Sequence, residues 1–213
     1  FGKVEALIPR SLFSIENSDN LNIDFEELCA ISISWEDGFV SELKPLNIGN
    51  KKPNKIIFPR FVEAHSHIDK SFTWDEFPNL RSTYDGALSV NLEEHKTRTT
   101  KKVLERAEKS LNLAIQNGYR AIRSHIDTYQ HQGNDVWTEL FKLQKKYSSK
   151  LQLQFVALSP LEFWQTENGK KLAKNLSIQK GILGGVLVPP FNKRETSKLI
   201  SKMLLLADKY KLE

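Results

Sequence analysis

Two histidines, His65 and His67, are the residues of this chain whose type and spacing are best suited to chemistry. They lie at the end of a predicted strand, residues 60–66. Side chains alternate along a β-strand, so two histidines separated by one residue project from the same face. Two imidazoles at that separation can share one divalent ion through bonds of about 2.0–2.1 Å. The spacing therefore predicts a metal site, and two unrelated polar residues in a loop are the alternative.

Four short apolar segments without helical periodicity are predicted to be the strands that position these histidines. They are residues 60–66, 120–126, 151–158 and 182–188. Because helical patterns alternate with them, the sequence predicts an α/β fold with a parallel sheet. The histidines then lie at the carboxyl end of the first strand, which is the end where β/α barrels build their active sites.

Apolar residues three and four positions apart predict the helices between these strands. The patterns cover residues 103–114, 136–147 and 199–210, with a weaker pattern over 167–176. Gly118 is a stop signal for the first of them. Asn192, three residues before Glu195, is a start signal for the last. The strands recur about every 30 residues, so a fifth strand is expected just after residue 211.

Residues 1–58 have short apolar runs with no helical period, separated by turn-prone stretches such as Glu36-Asp37-Gly38. This pattern predicts a small β unit, with a boundary between residues 58 and 59. Within that unit, Cys29 is expected to be a small buried apolar side chain, because no neighbouring Cys or His suggests a metal site.

Around the two histidines the sequence resembles the amidohydrolase superfamily, and within it the cytosine-deaminase-like group. Residues 59–70, Pro-Arg-Phe-Val-Glu-Ala-His-Ser-His-Ile-Asp-Lys, are similar to that group's Pro-x-Phe-Val-Glu-x-His-x-His-x-Asp stretch on the first barrel strand. Residues 123–127, Arg-Ser-His-Ile-Asp, resemble its Arg-Thr-His-Val-Asp stretch on the second. Residues 151–157 are similar to its third strand, and residues 168–172 and 184–186 fall where the group has related segments.

The resemblance implies a (β/α)8 TIM-type barrel, of which about the first four βα units lie in this chain, together with a small β-sandwich. Residues 1–58 would be the amino-terminal part of the sandwich, and residues 59–213 the first half of a metal-dependent hydrolase barrel. The resemblance also implies one divalent transition metal, zinc or iron, with His65 and His67 as its first two ligands. The remaining ligands and the catalytic acid/base are expected on strands beyond Glu213.

In such enzymes the metal activates water, and the resulting hydroxide attacks an amidine-like carbon. The expected activity is therefore that of a deaminase-type amidohydrolase, which cleaves a non-peptide C–N bond of a small N-heterocycle. Removal of an alkylamine from a triazine is a related alternative. A different class remains open as well, namely a truncated, catalytically inactive relative that serves as a binding partner or remnant.

Three further polar residues are candidates for orienting the metal ligands or a bound water. They are Asp69, His125 and Asp127. His125 and Asp127 are two positions apart at the end of the second predicted strand, so their side chains project from the same face. A core hydrogen bond without functional consequence is the alternative for both of them.

The long segment of residues 70–95, between the first strand and its helix, carries the aromatic residues Phe72, Trp74, Phe77 and Tyr84. Loops longer than about 12–15 residues in a compact domain are usually functional or disordered. The aromatic residues favour an ordered cover over the barrel mouth, able to stack on a flat heterocycle. Ordinary packing on the barrel rim is the alternative.

Other polar or unusual positions carry weaker expectations. Lys70 is expected either to touch the substrate or to pair with Asp75. Pro160 stands where cytosine deaminases place a substrate-reading Gln, and proline offers no side-chain donor or acceptor, so recognition of a cytosine amide edge is not expected. His95 is expected at the surface, and His131 is expected to be a solvated loop residue.

Composition limits the function classes further. The 213 residues are 39% hydrophobic and 27% charged, which excludes collagen-like, low-complexity and disordered proteins. The net charge of +5 is spread over predicted helix faces, so neither a nucleic-acid nor a membrane partner is expected. The single Cys cannot form an internal disulfide, so nothing in the sequence requires an oxidising compartment. No apolar run reaches the roughly 18 residues of a membrane span. A cytoplasmic protein that binds a small heterocyclic substrate is expected, and relatives suggest a homo-oligomer.

Overall fold

The structure is a computed structural model that describes residues 1–12, 23, 26–47, 52–128, 134–187 and 192–213. Within it the chain divides into two compact units, Phe1–Pro59 and Arg60–Glu213. No helix of the described residues is long and apolar enough to cross a membrane.

The first unit is built on a three-stranded antiparallel sheet. Its strands are β1 (Gly2–Pro9), β2 (Leu28–Glu36) and β3 (Phe39–Pro45), in the order β1-β2-β3. Asp37 and Gly38 connect β2 to β3 with positive φ angles of 50° and 83°. An Asp-Gly pair suits such a two-residue hairpin, because both central positions need the left-handed region. As expected from the sequence, Cys29 is fully buried in this unit.

The second unit contains a parallel sheet of four strands in the order in which they occur along the chain. They are β4 (Phe61–Ser66), β5 (Tyr119–Asp127), β6 (Gln152–Pro160) and β7 (Ile182–Val186). All three neighbouring pairs are parallel, as the alternating pattern predicted. The four carboxyl ends therefore meet along one edge of the sheet. Beside β7, the backbone N–H of Leu183 donates to the carbonyl oxygen of Glu213.

Helices connect and cover these strands. They are α1 (Tyr84–His95), α2 (Thr100–Gln116), α3 (Asn134–Tyr147), α4 (Glu167–Ile178) and α5 (Lys193–Tyr210). The predicted start of α5 is confirmed, because the side chain of Asn192 accepts from the backbone N–H of Glu195. Gly118, just after α2, has the positive φ of 80° that its role as a stop signal requires.

The sequence predicts one long loop over residues 70–95, and the structure corrects this prediction because the segment contains helix α1. The second half of that segment is helical from Tyr84, and the side chain of the preceding Thr83 caps the helix by accepting from the backbone N–H of Gly86. Prediction of His95 at the surface is likewise wrong. His95 is the last residue of α1 and is buried.

The apolar faces of the helices pack onto the sheet. Leu111 of α2, Leu140 of α3 and Leu176 of α4 are fully buried, in one core with Ile126 of β5 and Phe155 of β6. Burial of one such side chain stabilises the fold by about 1.5–3 kcal/mol. The shared core therefore fixes the carboxyl ends of the strands, where the polar residues gather.

Candidate metal and substrate site

His65 and His67 lie side by side at the carboxyl end of β4. Their ring centroids are 5.3 Å apart, with the ring planes inclined at 66°. Nδ1 of His67 lies 2.9 Å from the backbone carbonyl oxygen of His125, at the end of the neighbouring strand. A carbonyl can only accept, so Nδ1 carries the proton in this bond and Nε2 keeps a free lone pair. That tautomer is the one a metal ion requires of a ligand bound through Nε2.

The environment of His67 also keeps its ring neutral. Burial, followed by the positive charge of Lys70, lowers the pKa of His67 to about 4. A neutral imidazole is the ligand form, because a protonated ring has no lone pair to donate. Two imidazoles bound to one ion at about 2.0–2.1 Å have centroids roughly 5 Å apart, which agrees with the observed separation. The two rings therefore fit a divalent transition metal.

His125 completes a group of three neighbouring rings. Its ring stacks on His65 with centroids 4.0 Å apart and lies 5.7 Å from His67. Burial and the neighbouring His65 lower the pKa of His125 below its ordinary value. Among the residues that the structure describes, however, no three His, Cys, Asp or Glu side chains are arranged to hold a metal ion. His125 therefore acts here as packing for His65 and, through its carbonyl, as the acceptor for His67.

A cavity of about 760 Å³ opens beside His67. It is lined by polar groups from the strand ends and by the aromatic residues of the segment that follows β4. The four residues predicted on the substrate side all line it, namely Lys70, Phe72, Trp74 and Pro160. Trp74 is 61% exposed, so a ligand in the cavity can contact it.

Lys70 and Asp127 form an ion pair in the cavity wall. Nζ of Lys70 lies 2.9 and 3.0 Å from the two carboxylate oxygens of Asp127. Lys70 was expected either to touch the substrate or to pair with Asp75, and the structure pairs it with Asp127 instead of Asp75. Burial acts to raise the pKa of Asp127, but Lys70 and Arg98 outweigh it and the pKa lies below its ordinary value. Asp127 is therefore a carboxylate at neutral pH.

Asp69 lies beneath this pair and is completely buried. Its Oδ2 accepts from the backbone N–H of Asp127 at 3.0 Å, while Oδ1 has no hydrogen-bond partner among the described residues. Burial, together with the nearby charge of Asp127, raises the pKa of Asp69 to about 6. Asp69 and Asp127, two of the three candidates for a supporting role, are thus in direct contact, while that role remains a prediction.

Arg98 is a residue of this site for which the sequence gives no clear signal. It precedes α2, and its side chain is only 1% exposed. Its guanidinium reaches both buried carboxylates, with Nη1 3.1 Å from Asp127 and 3.5 Å from Asp69. The other side of the group binds Glu94 of α1. The one available hint was the spacing of four residues between Glu94 and Arg98, which on a helix usually marks an exposed pair.

The loop residue His131 and the predicted strand end at residue 188 lie outside the described residues. The structure places five predicted site residues close together, namely His65, His67, Asp69, His125 and Asp127. The roles assigned to them from the sequence remain predictions.

No family model matches the chain. Among curated proteins, it is 27% identical over 169 residues to pterin deaminase of Rhizobium rhizogenes (strain K84), covering 76% of this chain and 39% of that protein. It is 24% identical over 137 residues to N-isopropylammelide isopropyl amidohydrolase of Pseudomonas sp. (strain ADP), covering 62% of this chain and 34% of that protein.

Solved structures share the fold. 5-Methylcytosine deaminase from Klebsiella pneumoniae superposes with a TM-score of 0.70 at 18% identity, over 99% of this chain and 50% of the other. Guanine deaminase from C. acetobutylicum gives a TM-score of 0.57 at 16% identity, over 99% of this chain and 51% of the other. The resemblance drawn from the sequence is confirmed: this chain is a homologue of deaminases and amidohydrolases of the amidohydrolase superfamily, and it spans about half or less of their length.

Proposed function

We propose that this chain is part of a metal-dependent hydrolase that deaminates a small N-heterocycle. The observation that carries the proposal is the pair of adjacent imidazoles at the carboxyl end of β4, one of them held neutral and bonded through Nδ1 to a carbonyl. The names of the relatives, among them pterin, 5-methylcytosine and guanine deaminases, support this reaction class.

The architecture proposed for the whole protein is a (β/α)8 barrel with a small β-sandwich. The four parallel strands would be the first half of the barrel, and the antiparallel sheet of the first unit would be part of the sandwich. The shared fold with proteins about twice this length supports the proposal. So does β4, where Phe61 and Val62 are about half exposed and leave apolar surface for further elements to cover.

His65 and His67 would hold one divalent transition metal, zinc or iron. When bound, such an ion supplies the Lewis acidity that activates water near neutral pH. In the overall reaction, the water oxygen forms a bond to the ring carbon and the exocyclic C–N bond breaks. One proton of the water goes to the leaving amino group, which departs as ammonia, and the other stays on the product. The acid/base group that moves these protons is proposed to lie on strands beyond Glu213.

The cavity residues would bind and orient the heterocycle. Trp74 and Phe72 offer ring faces on which a flat substrate can stack, and Lys70 offers an N–H donor in the same cavity. Pro160 adds an apolar surface to the lining, so it does not supply the amide contact that would recognise a cytosine edge. The substrate is therefore proposed to be a small N-heterocycle other than cytosine. A cytoplasmic location and a homo-oligomer remain predictions.

Replacing both histidines tests the proposal directly. In the full-length protein, we expect His65→Ala combined with His67→Ala to remove bound metal and to abolish release of ammonia or an amine in a screen of N-heterocycles. Metal content is measured by elemental analysis and ammonia by a coupled assay. The matched control is His95→Asn, a histidine outside the cavity lining, which should keep its metal. Unchanged metal content and turnover in the double variant would overturn the proposal.

The alternative left open by the sequence, an inactive relative that serves as a binding partner, predicts a different composition of the purified protein. Intact mass and metal content of the protein purified from its source separate the two. A mass near 24.5 kDa without metal supports the inactive relative. About twice that mass, with about one metal per chain, supports the hydrolase.

A further inference from the structure

The guanidinium of Arg98 is the centre of a buried ionic cluster behind the cavity wall. Nε and Nη2 donate to one carboxylate oxygen of Glu94 at 2.8 and 2.5 Å. Nη2 also donates to the side-chain oxygen of Asn91 at 3.1 Å. Nη1 donates to Asp127 at 3.1 Å and lies 3.5 Å from Asp69. All five N–H donors of the arginine are thus directed at partners.

These partners come from separate parts of the fold. Asp69 follows β4, Asp127 ends β5, and Asn91 and Glu94 belong to α1, which forms one wall of the cavity. Two buried carboxylates side by side repel each other unless a cation lies between them. Arg98 provides that cation, and its planar shape fixes the direction in which Asp127 faces.

Asp127 in turn holds Lys70 at the cavity. Oδ2 of Asp127 accepts from Arg98 on the buried side and lies 3.0 Å from Nζ of Lys70 on the cavity side. The side chain of Lys70 is 22% exposed, whereas that of Asp127 is 4% exposed. Within this chain of contacts, Lys70 is therefore the member most exposed to a ligand, and Asp127 connects it to Arg98.

We propose that Arg98 is a positioning residue, which fixes the carboxylate of Asp127 and thereby directs the ammonium of Lys70 into the cavity. The proposal rests on the proposed function in so far as Lys70 meets a substrate there. Lysine could not replace arginine in this role. Its ammonium offers three donors from one point and cannot span carboxylates that lie on two sides of a planar group.

A double-mutant cycle between Arg98 and Lys70 tests the proposal. In the full-length protein, we expect Arg98→Met to lower kcat/KM by about tenfold for a heterocycle that the wild type deaminates. The same substitution should have almost no effect on kcat/KM once Lys70→Met is already present. Arg98→Lys keeps the charge and should behave like Arg98→Met. It is also the variant to use if removal of the charge prevents folding. Equal losses with and without Lys70→Met would mean that Arg98 is merely structural, and would overturn the proposal.

Arg106→Met is the matched control. Arg106 donates to Glu94 at 2.5 Å from the same buried cluster, and Glu94 is its only ionic partner among the described residues. We expect its loss to lower thermal stability as Arg98→Met does, while kcat/KM stays within about twofold of the wild type. A fall in kcat/KM as large as that of Arg98→Met would overturn the proposal.

A measurement without substrate separates failure of this proposal from failure of the proposed function. Competitive acetylation with acetic anhydride, read by mass spectrometry, reports how firmly Lys70 is held, with the exposed Lys101 as internal reference. We expect the relative labelling of Lys70 to rise severalfold in Arg98→Met and to stay unchanged in Arg106→Met. Unchanged labelling in Arg98→Met overturns the positioning role. Absence of turnover in the wild type, with the labelling as expected, overturns only the proposed function.

Discussion

At the scale of single residues, Glu94 links the stability of this fold to pH. Its carboxylate is 2% exposed and binds both Arg98 and Arg106. Burial alone would raise the pKa of Glu94, but the hydrogen bonds from the two arginines outweigh it, so the pKa lies below its ordinary value of 4.5. A carboxyl group with a lowered pKa in the folded state stabilises the protein above its ordinary pKa. That stabilisation is lost as the pH falls through the lowered value.

We therefore expect the free energy of unfolding to fall as the pH is lowered below about 4.5, partly through Glu94. Glu94→Gln should cost about 3 kcal/mol at pH 7, because it breaks a buried ion pair, and should flatten this acid dependence. Urea unfolding of both proteins between pH 7 and pH 3 measures it. Glu93→Gln, an exposed neighbour, is the control and should change stability by less than about 0.5 kcal/mol. Parallel acid profiles for Glu94→Gln and the wild type would contradict this account.

The residues of the site divide into those that local patterns predict and those that they do not. His65 and His67 could be predicted because strand alternation is a local rule. The pairing of Lys70 with Asp127 spans 57 residues of sequence, whereas the expected partner Asp75 was merely close along the chain. For Arg98 the sequence offered only its spacing of four residues from Glu94, which usually marks an exposed pair, and only the assembled fold shows that the side chain is buried.

At the scale of elements, periodicity predicted the amphipathic helices and the four strands, but it missed α1. Residues 84–95 lack an apolar face with helical spacing, since their buried members are Gly86, Glu94 and His95. Burial of a polar face depends on partners elsewhere, here Arg98 and Arg106, which no pattern within the helix reveals. The cap at Thr83 was the one local signal present.

Helix α4 offers a test of how tightly an element is packed at its start. A Cβ on Gly169 would press against the backbone carbonyl of Phe163, at 2.9 Å from the carbonyl carbon and closer still to the oxygen. Overpacking of this kind costs about 1–3 kcal/mol, and a contact with backbone atoms puts the cost in the upper half of that range, against a helix-propensity gain of about 1 kcal/mol for Gly→Ala. We therefore expect Gly169→Ala to lower the free energy of unfolding by about 1–2 kcal/mol.

Urea unfolding measures this difference. The exposed Lys174, in the same helix, provides the control, because Lys174→Ala should stay within about 0.5 kcal/mol of the wild type. A Gly169→Ala protein as stable as the wild type would mean that the turn before α4 can move away at no cost.

At the scale of the whole molecule, the order of strands and helices was enough to predict the parallel sheet, because βαβ connections leave few alternatives. The complete ligand set was not predictable in the same way. In the proposed barrel, a metal site assembled from distant strands would depend on how the sheet closes, and only the adjacent pair of His65 and His67 can be recognised from local sequence.

Metal binding should therefore be visible as a property of the whole fold. An ion that binds only the native state stabilises it by about 4 kcal/mol at a thousand times its dissociation constant. For a domain of this size, that corresponds to a rise in Tm of roughly 10 °C. We expect zinc or ferrous iron added to the metal-stripped protein to give such a rise, measured by differential scanning fluorimetry. Magnesium should give none, because it prefers oxygen ligands to imidazole. The rise must vanish in the protein with both His65→Ala and His67→Ala. An equal rise there would place the ion elsewhere, and no rise in the wild type would mean that the two imidazoles hold no metal.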